Sequence, residues 1–241
     1  MSRAPERAGD PRGLRPDLDE RSRFYEGFAG EWDDAMDREE LGKRLRLVFG
    51  RLLTQVDLRG RLVLDAGAGT GHFSRALSER GARLVSLDLG HTLLRETRRK
   101  AETLPVQGSL LDLPFANGLF DVVLCTEAIE HTSDPRRAVS ELCRVTARGG
   151  VLALTVPNRL WKPAVIAANA LGRPYRGYEN WVGYGELASW VREGGLEIEL
   201  QRGFNLMPHT FFCRPAFDAL DGIPALHPFM INMAIRARKA R

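Results

Sequence analysis

The run Asp65-Ala66-Gly67-Ala68-Gly69-Thr70-Gly71 carries the sharpest chemical signal in the chain. Glycine lacks a Cβ, so a backbone rich in it turns tightly and lets a ligand come close. The spacing is G-x-G-x-G, because His72 follows. A dinucleotide loop wants G-x-G-x-x-G, which seats a pyrophosphate on a helix N-terminus. Here the third glycine comes one residue early, which points to a ligand other than a pyrophosphate. Asp88 follows Gly71 by 17 residues. A carboxylate at the end of the next strand accepts hydrogen bonds from both hydroxyls of a ribose, at the place where open α/β sheets bind ligands. Further on come Glu127, Glu130 and His131. Histidine titrates near neutral pH and, beside a reacting hydroxyl, can take its proton.

Alternating strands and helices must position these groups. Arg61 to Ala66 is a short apolar run that reads as a strand, and His72 to Arg80 as the helix after the glycine turn. Arg83 to Leu87, Pro105 to Gly108, Asp121 to Thr126 and Val151 to Val156 read as further strands. Helices are expected over His91 to Ala101 and Pro135 to Thr146, the second with Asp134 as N-cap and Gly149 and Gly150 as its end. Such alternation implies parallel pairing with right-handed crossovers. Apolar runs without strict alternation suit strands buried on both faces. Prolines and glycines break the rhythm over 157–183, which reads as an insert or cap. Tyr184 to Glu193 is then a helix, and Leu196 to Leu200 and Met230 to Ala237 are the last strands. Ahead of the sheet, Phe24, Phe28, Trp32 and Met36 form one apolar helical stripe, and Leu45, Val48, Phe49 and Leu52 a second. Residues 1–20 offer almost nothing to bury and are expected to be disordered. The rest, 21–241, is expected to form one domain with 158–183 as its lid.

Composition narrows the function. Hydrophobic residues make up 44% of the 241, enough for an ordinary core. A net charge of +4 is too small to argue for nucleic acid. Cys125, Cys143 and Cys213 are widely spaced and form no metal-ligand pair, so no metal is expected and a reduced, cytoplasmic setting is the simple reading. No apolar run is long enough to span a bilayer.

The ordered motifs resemble those of the class I methyltransferases that use S-adenosylmethionine. Val63 to Gly71 is similar to their first motif and Asp88 to their acidic second. Leu113-Pro114-Phe115, Phe120-Asp121-Val122-Val123 and Arg148-Gly149-Gly150-Val151-Leu152 resemble the later ones, in order. Cys125-Thr126-Glu127-Ala128-Ile129-Glu130-His131, with Asp134-Pro135, resembles the O-methyltransferases of ubiquinone biosynthesis, which act on phenolic hydroxyls. The resemblance implies a Rossmann-like, seven-stranded, mostly parallel sheet with helices on both faces, an N-terminal helical extension and a cap after strand five. It implies S-adenosylmethionine as methyl donor and a small-molecule acceptor.

It also implies a site. Asp65, Gly67, Ala68, Gly69 and Gly71 would form the donor loop, with Asp88 and Leu89 at the ribose. Many relatives carry Gly-Asp after the third strand; here Gly108-Ser109 stands there, which leaves Ser109, Leu110 or Asp112 to meet the adenine. Thr126 matches a donor-contacting position. Arg44 matches a donor-binding arginine suited to the methionine carboxylate, although Lys43, Arg46 and Arg51 around it equally suit a solvated face. His131 is the candidate base, or else a histidine packed against Glu127 or Glu130. Glu127 would orient the methionine amino group or the acceptor. Within 158–183, aromatic Trp161, Tyr175, Tyr178 and Trp181 mix with Arg159, Lys162, Arg173 and Arg176. That mixture suits a cap over a planar acceptor, or a peripheral membrane contact. His209 and Tyr178 are spare acid/base candidates.

Rival functions fit less well. The glycine spacing argues against a nicotinamide dehydrogenase. A methyltransferase acting on base amino groups would show Asn/Asp-Pro-Pro-aromatic where Cys125-Thr126-Glu127-Ala128 stands. A non-catalytic binder of the donor stays open, as do N- and C-methylation.

Overall fold

The computed structural model describes residues 38–170, 180–206 and 220–241, with the side chains of 168–170 left out. The expected tail at 1–20, the stripe from Phe24 to Met36, and Tyr175, Tyr178, His209 and Cys213 lie outside the described residues.

Seven strands form one sheet: β1 (Leu62–Ala66), β2 (Arg83–Asp88), β3 (Leu104–Gln107), β4 (Phe120–Thr126), β5 (Thr146–Pro157), β6 (Leu196–Phe204) and β7 (Asn232–Lys239). Their order across the sheet is β3-β2-β1-β4-β5-β7-β6. The first five pair in parallel, and β7 runs antiparallel to both β5 and β6. The order reverses between β1 and β4, so a crevice opens beyond their C-terminal ends. Because β7 is antiparallel, its first residue pairs with Pro157, the last of β5, and so arrives at that same edge.

The helices are α1 (Arg38–Leu47, continued by a π-helical turn over Val48–Leu52), α2 (His72–Ser78), α3 (His91–Lys100), α4 (Pro135–Val145), α5 (Lys162–Ala170) and α6 (Tyr184–Glu193). Successive side chains of a strand point to opposite faces. Leu64, Val123, Leu152 and Ile235 therefore pack in one cluster with Leu142 of α4 and Leu187 of α6. Val63, Val122, Val151 and Ala234 pack on the other face with Leu47, Leu52 and Leu77. Burial on both faces explains why these strands read as continuous apolar runs.

Asp134 caps α4 as expected, accepting the Arg137 amide at 3.0 Å, with Pro135 in the first turn. Such a cap is worth about 1 kcal/mol. The end of α4 differs from expectation. It stops at Val145, and Gly149 and Gly150 lie inside β5 instead of closing the helix. The β4–β5 register shifts between Phe120 and Val122, and at Gly150 a Cβ would press within 2.8 Å of the Ala147 carbonyl and 2.9 Å of the Asp121 carbonyl. The glycines serve a strand irregularity. β6 runs longer than expected, to Phe204, and β7 begins and ends two residues later than expected, because the sheet ladder continues through residues that are apolar on one side only.

Arg144 organises the loop that leaves β3. Its Nη2 donates to the Leu113 carbonyl at 2.9 Å, and its Nη1 to the Phe115 carbonyl at 2.7 Å and Asn117 Oδ1 at 2.8 Å. Glu141 holds the guanidinium through Nε at 2.8 Å and accepts the Leu113 amide at 2.8 Å. Replacing Arg144 by Met would leave two carbonyls and a carboxylate without these donors. Arg144→Met is expected to lower stability by about 2 kcal/mol in urea denaturation.

Candidate functional site

The glycine loop joins β1 to α2. Gly67 and Ala68 both donate their amides to the Leu87 carbonyl, at 2.8 and 3.0 Å, so the loop is stitched to the end of β2. Gly69 donates to Asp88 Oδ2 at 2.8 Å, and Gly90 to Asp88 Oδ1 at 2.9 Å. Each Asp88 oxygen keeps a lone pair after these bonds. Asp88 thus does two things: it latches the loop and still presents acceptors. Burial raises its pKa above the ordinary carboxylate value, against the opposing amides of Gly90, Gly69 and Leu89.

The first loop also touches the loop after β4. Gly67 has φ +78°, and a Cβ there would lie 2.4 Å from the Ala128 Cβ. Only glycine lets the two loops close to this distance. Leu110 approaches the same point, with its Cδ1 3.9 Å from that Cβ position. Ser109 turns back locally, its hydroxyl accepting the Leu111 amide at 3.1 Å. Leu89 is held beside Asp88, where its carbonyl accepts Gln107 Nε2 at 3.0 Å. Thr126 ends β4 opposite Thr155. Gly71 has φ +87° and precedes α2.

Under the loop lies Asp65, fully buried, with its Oδ2 accepting the Ser74 hydroxyl at 2.6 Å. Ser74 continues to Ser86 at 2.8 Å, and Ser86 to Thr103 at 2.7 Å. Asp65 therefore supports the loop from below. Burial pushes its pKa up to about 7; the Ser74 hydroxyl opposes this and the Asp88 charge adds to it.

Glu127 adopts φ +50°, a left-handed conformation rare for a side chain of this size. Its side chain is 13% exposed, and Oε2 lies 3.9 Å from Arg44 Nη2 and accepts Asn232 Nδ2 at 2.9 Å. Oε1 makes no hydrogen bond among the described residues. Burial raises the Glu127 pKa, opposed first by the Arg44 charge and then by Thr155 and Asn232. Arg44 also donates Nε to Glu40 Oε1 at 3.0 Å. Burial works against its charge, but Glu127 and Glu40 outweigh this and raise its pKa. Arg44 thus faces the site edge, and Lys43 turns inward to Asp221 at 2.8 Å, whereas Arg46 and Arg51 are exposed.

His131 ends a 3-10 turn over Ile129–His131. Its Nε2 lies 4.0 Å from Glu130 Oε1, and the two side chains are 17% and 2% exposed. Asn180 donates its amide to the Glu130 carbonyl at 2.7 Å and its side chain to the Thr132 carbonyl. Glu40, Asn205 and Asn232 were not legible as site residues. The one available signal was polar Asn232 inside the apolar run Met230 to Ala237.

The Asp65 pKa has a consequence for stability. Its folded value, about 7, lies above the ordinary 3.8. Both states are protonated in acid; as pH rises toward 7 the unfolded chain ionises first, so stability falls and then levels off. Between pH 5 and 7 this one group removes about 2 kcal/mol. Asp65→Asn is expected to lose less stability than the wild type over that interval, and urea midpoints at both pH values measure the difference.

The Methyltransferase domain family model matches residues 64–154. A ubiquinone biosynthesis O-methyltransferase of Pseudomonas aeruginosa (strain UCBPP-PA14) is 31% identical over 214 residues, covering 80% of this chain and 90% of that protein. One from Xanthomonas oryzae pv. oryzae (strain PXO99A) is 34% identical over 171 residues, covering 65% and 69%. Among solved structures, magnesium protoporphyrin IX methyltransferase from Synechocystis PCC 6803, with bound SAH, superposes with a TM-score of 0.67 at 17% identity, covering 93% of this chain and 100% of that one. With a relative this similar over nine-tenths of its length, and with the strand order and glycine loop described above, the chain belongs to the S-adenosylmethionine-dependent methyltransferases.

Proposed function

We propose that the acceptor is a hydroxyl on a small phenolic, quinone-precursor or natural-product molecule. The observation that supports this most is the contact between Gly67 and Ala128, which sets the turn bearing Glu127 and His131 directly against the donor loop. The names of the relatives point the same way.

The residues fit S-adenosylmethionine. A Cβ on Gly69 would meet nothing within 4 Å among the described residues, so none of them covers that face of the loop. Asp88 has lone pairs left for two ribose hydroxyls. The guanidinium of Arg44 has donors beyond Nε for a carboxylate, and Glu127 Oε1 has an acceptor for an ammonium. Ser109 and Leu110 are proposed at the adenine, Leu89 beside the ribose and Thr126 beside the methionine end. When bound, the donor supplies an electrophilic methyl on a sulfonium. The chain aligns donor and acceptor and keeps water out. His131 takes the hydroxyl proton as the acceptor attacks, and Glu130 at 4.0 Å stabilises the imidazolium so formed.

Exposed apolar residues at 160–166 and at Phe229 support a second part of the reading, a peripheral membrane contact beside the proposed cap. Leu160, Ile166 and Phe229 are 56%, 58% and 57% exposed. Trp161 Nε1 donates to the Phe229 carbonyl at 2.9 Å, which ties the two segments together beside Arg159 and Lys162. Apolar groups next to cations suit an anionic bilayer. No helix among the described residues is long and apolar enough to cross one.

Three measurements test this. Methyl-labelled donor incubated with a cell extract, followed by solvent partition, should leave label in the organic phase for a lipid-like phenol. Asp88→Asn is the control: its single oxygen can accept only one of the Gly69 and Gly90 amides, so the variant loses ribose acceptors and half of the latch together. Label confined to water would overturn the quinone-type acceptor, and no transfer would mean that the extract lacks the acceptor or that the protein is a binder. With the acceptor in hand, His131→Ala should lower kcat about 100-fold or more with the donor KM little changed; an unaltered kcat removes His131 as base. Finally, the triple change Leu160→Ser, Ile166→Ser, Phe229→Ser should abolish sedimentation with anionic vesicles, and equal sedimentation would remove the membrane contact.

A further inference from the structure

We infer that Asn232, locked by Asn205, is a positioning residue that turns Glu127 toward the amino-acid end of the donor. The inference rests on the reading of Glu127 Oε1 as an acceptor for that ammonium.

The argument starts from what an amide can do. Asn carries an acceptor at one end and two N–H donors at the other, so fixing one end fixes both. Asn205 Nδ2 donates to Glu40 Oε1 at 2.9 Å and to Asn232 Oδ1 at 3.2 Å. With its oxygen so engaged, Asn232 has to present Nδ2 the other way, and there it meets Glu127 Oε2 at 2.9 Å. Asn205 is 5% exposed and Asn232 also 5%, so water does not compete for these bonds. Arg44 adds its charge to the same Glu127 oxygen from 3.9 Å. One oxygen of Glu127 is therefore committed to the protein, and the other, Oε1, is the one left for a ligand.

Two features show the wiring to be built and not incidental. Asn205 sits at φ +61°, a conformation that Asn tolerates better than most residues. Its amide donates to Asp221 Oδ2 at 3.2 Å and its carbonyl accepts the Ile231 amide at 2.8 Å, so the strained residue is held at three points. Phe204 of β6 pairs with Asn232 of β7, which places the two asparagines at the same edge of the sheet. The relay thus runs from Glu40 on α1, through two strand ends, to the turn after β4.

Binding of two probes tests the inference by calorimetry. S-adenosylhomocysteine has the amino-acid end; 5′-methylthioadenosine has the adenosine and thioether without it. Asn232→Leu is expected to weaken the first about tenfold and the second less than twofold. Asn232→Asp, which puts an acceptor against Glu127, should show the same selectivity and serves if the Leu variant melts early. In a Glu127→Gln background, Asn232→Leu should have no further effect. Equal loss for both probes would mean a merely structural role and overturn the inference, as would undiminished binding of S-adenosylhomocysteine. If Glu127→Gln leaves S-adenosylhomocysteine binding intact, the reading of Glu127 fails and takes the relay with it. If Glu127→Gln weakens binding and Asn232→Leu does not, only the relay fails.

Discussion

The two amide bonds on Asp88 hold the rest of the site in place. One comes from Gly69 in the loop after β1 and one from Gly90 at the start of α3. A charge-assisted bond of this kind is stronger than a neutral one, and it forms where burial makes an unpaired carboxylate costly. The latch fixes the glycine loop relative to β2, and the Leu87 carbonyl completes it by taking the Gly67 and Ala68 amides. With the loop fixed, Gly67 can lie against Ala128, and the turn carrying Glu127 and His131 acquires a defined distance from the glycine loop. The same carboxylate that would bind ribose thus also sets the shape of the pocket.

The site gathers four acidic side chains under cover. Asp65, Asp88, Glu127 and Glu130 all stand at or below the C-terminal edge of the sheet. Burial raises the first three, so the bare fold is destabilised there, as expected where local rules yield to function. A donor that carries positive charge on sulfur and nitrogen is the natural complement, and its binding offsets that cost through linkage. Arg44 supplies part of the compensation from α1, which ties a helix ahead of the sheet to the chemistry at its edge.

The glycine loop, Asp88 and the Glu127 to His131 turn were legible from sequence because each is a short contiguous run with a stated chemical need. The strands and helices between them were legible because apolar runs buried on both faces differ from amphipathic helices. Gly149 and Gly150 misled, since a glycine pair closes a helix as readily as it serves an irregular strand, and only the neighbouring Asp121 and Ala147 carbonyls decide between them. Arg144 and Glu141 carry no sequence signal of their role, because their hold on the Leu113 to Asn117 loop depends on residues about thirty positions away.

Sequence alone determined the parallel α/β architecture, the glycine loop after β1, its acidic partner on the next strand and the family. These follow from local spacing, which strand and helix geometry convert directly into position. Tertiary structure decided which Glu127 oxygen is bonded to the protein, that Arg44 reaches Glu127, and that Asn205 and Asn232 are joined to it by hydrogen bonds. Asn232 is 105 residues from Glu127, and Asn205 is 165 from Glu40. Nothing local encodes those meetings: they arise because β7 enters the sheet antiparallel and delivers its first residue to the edge where the parallel strands end.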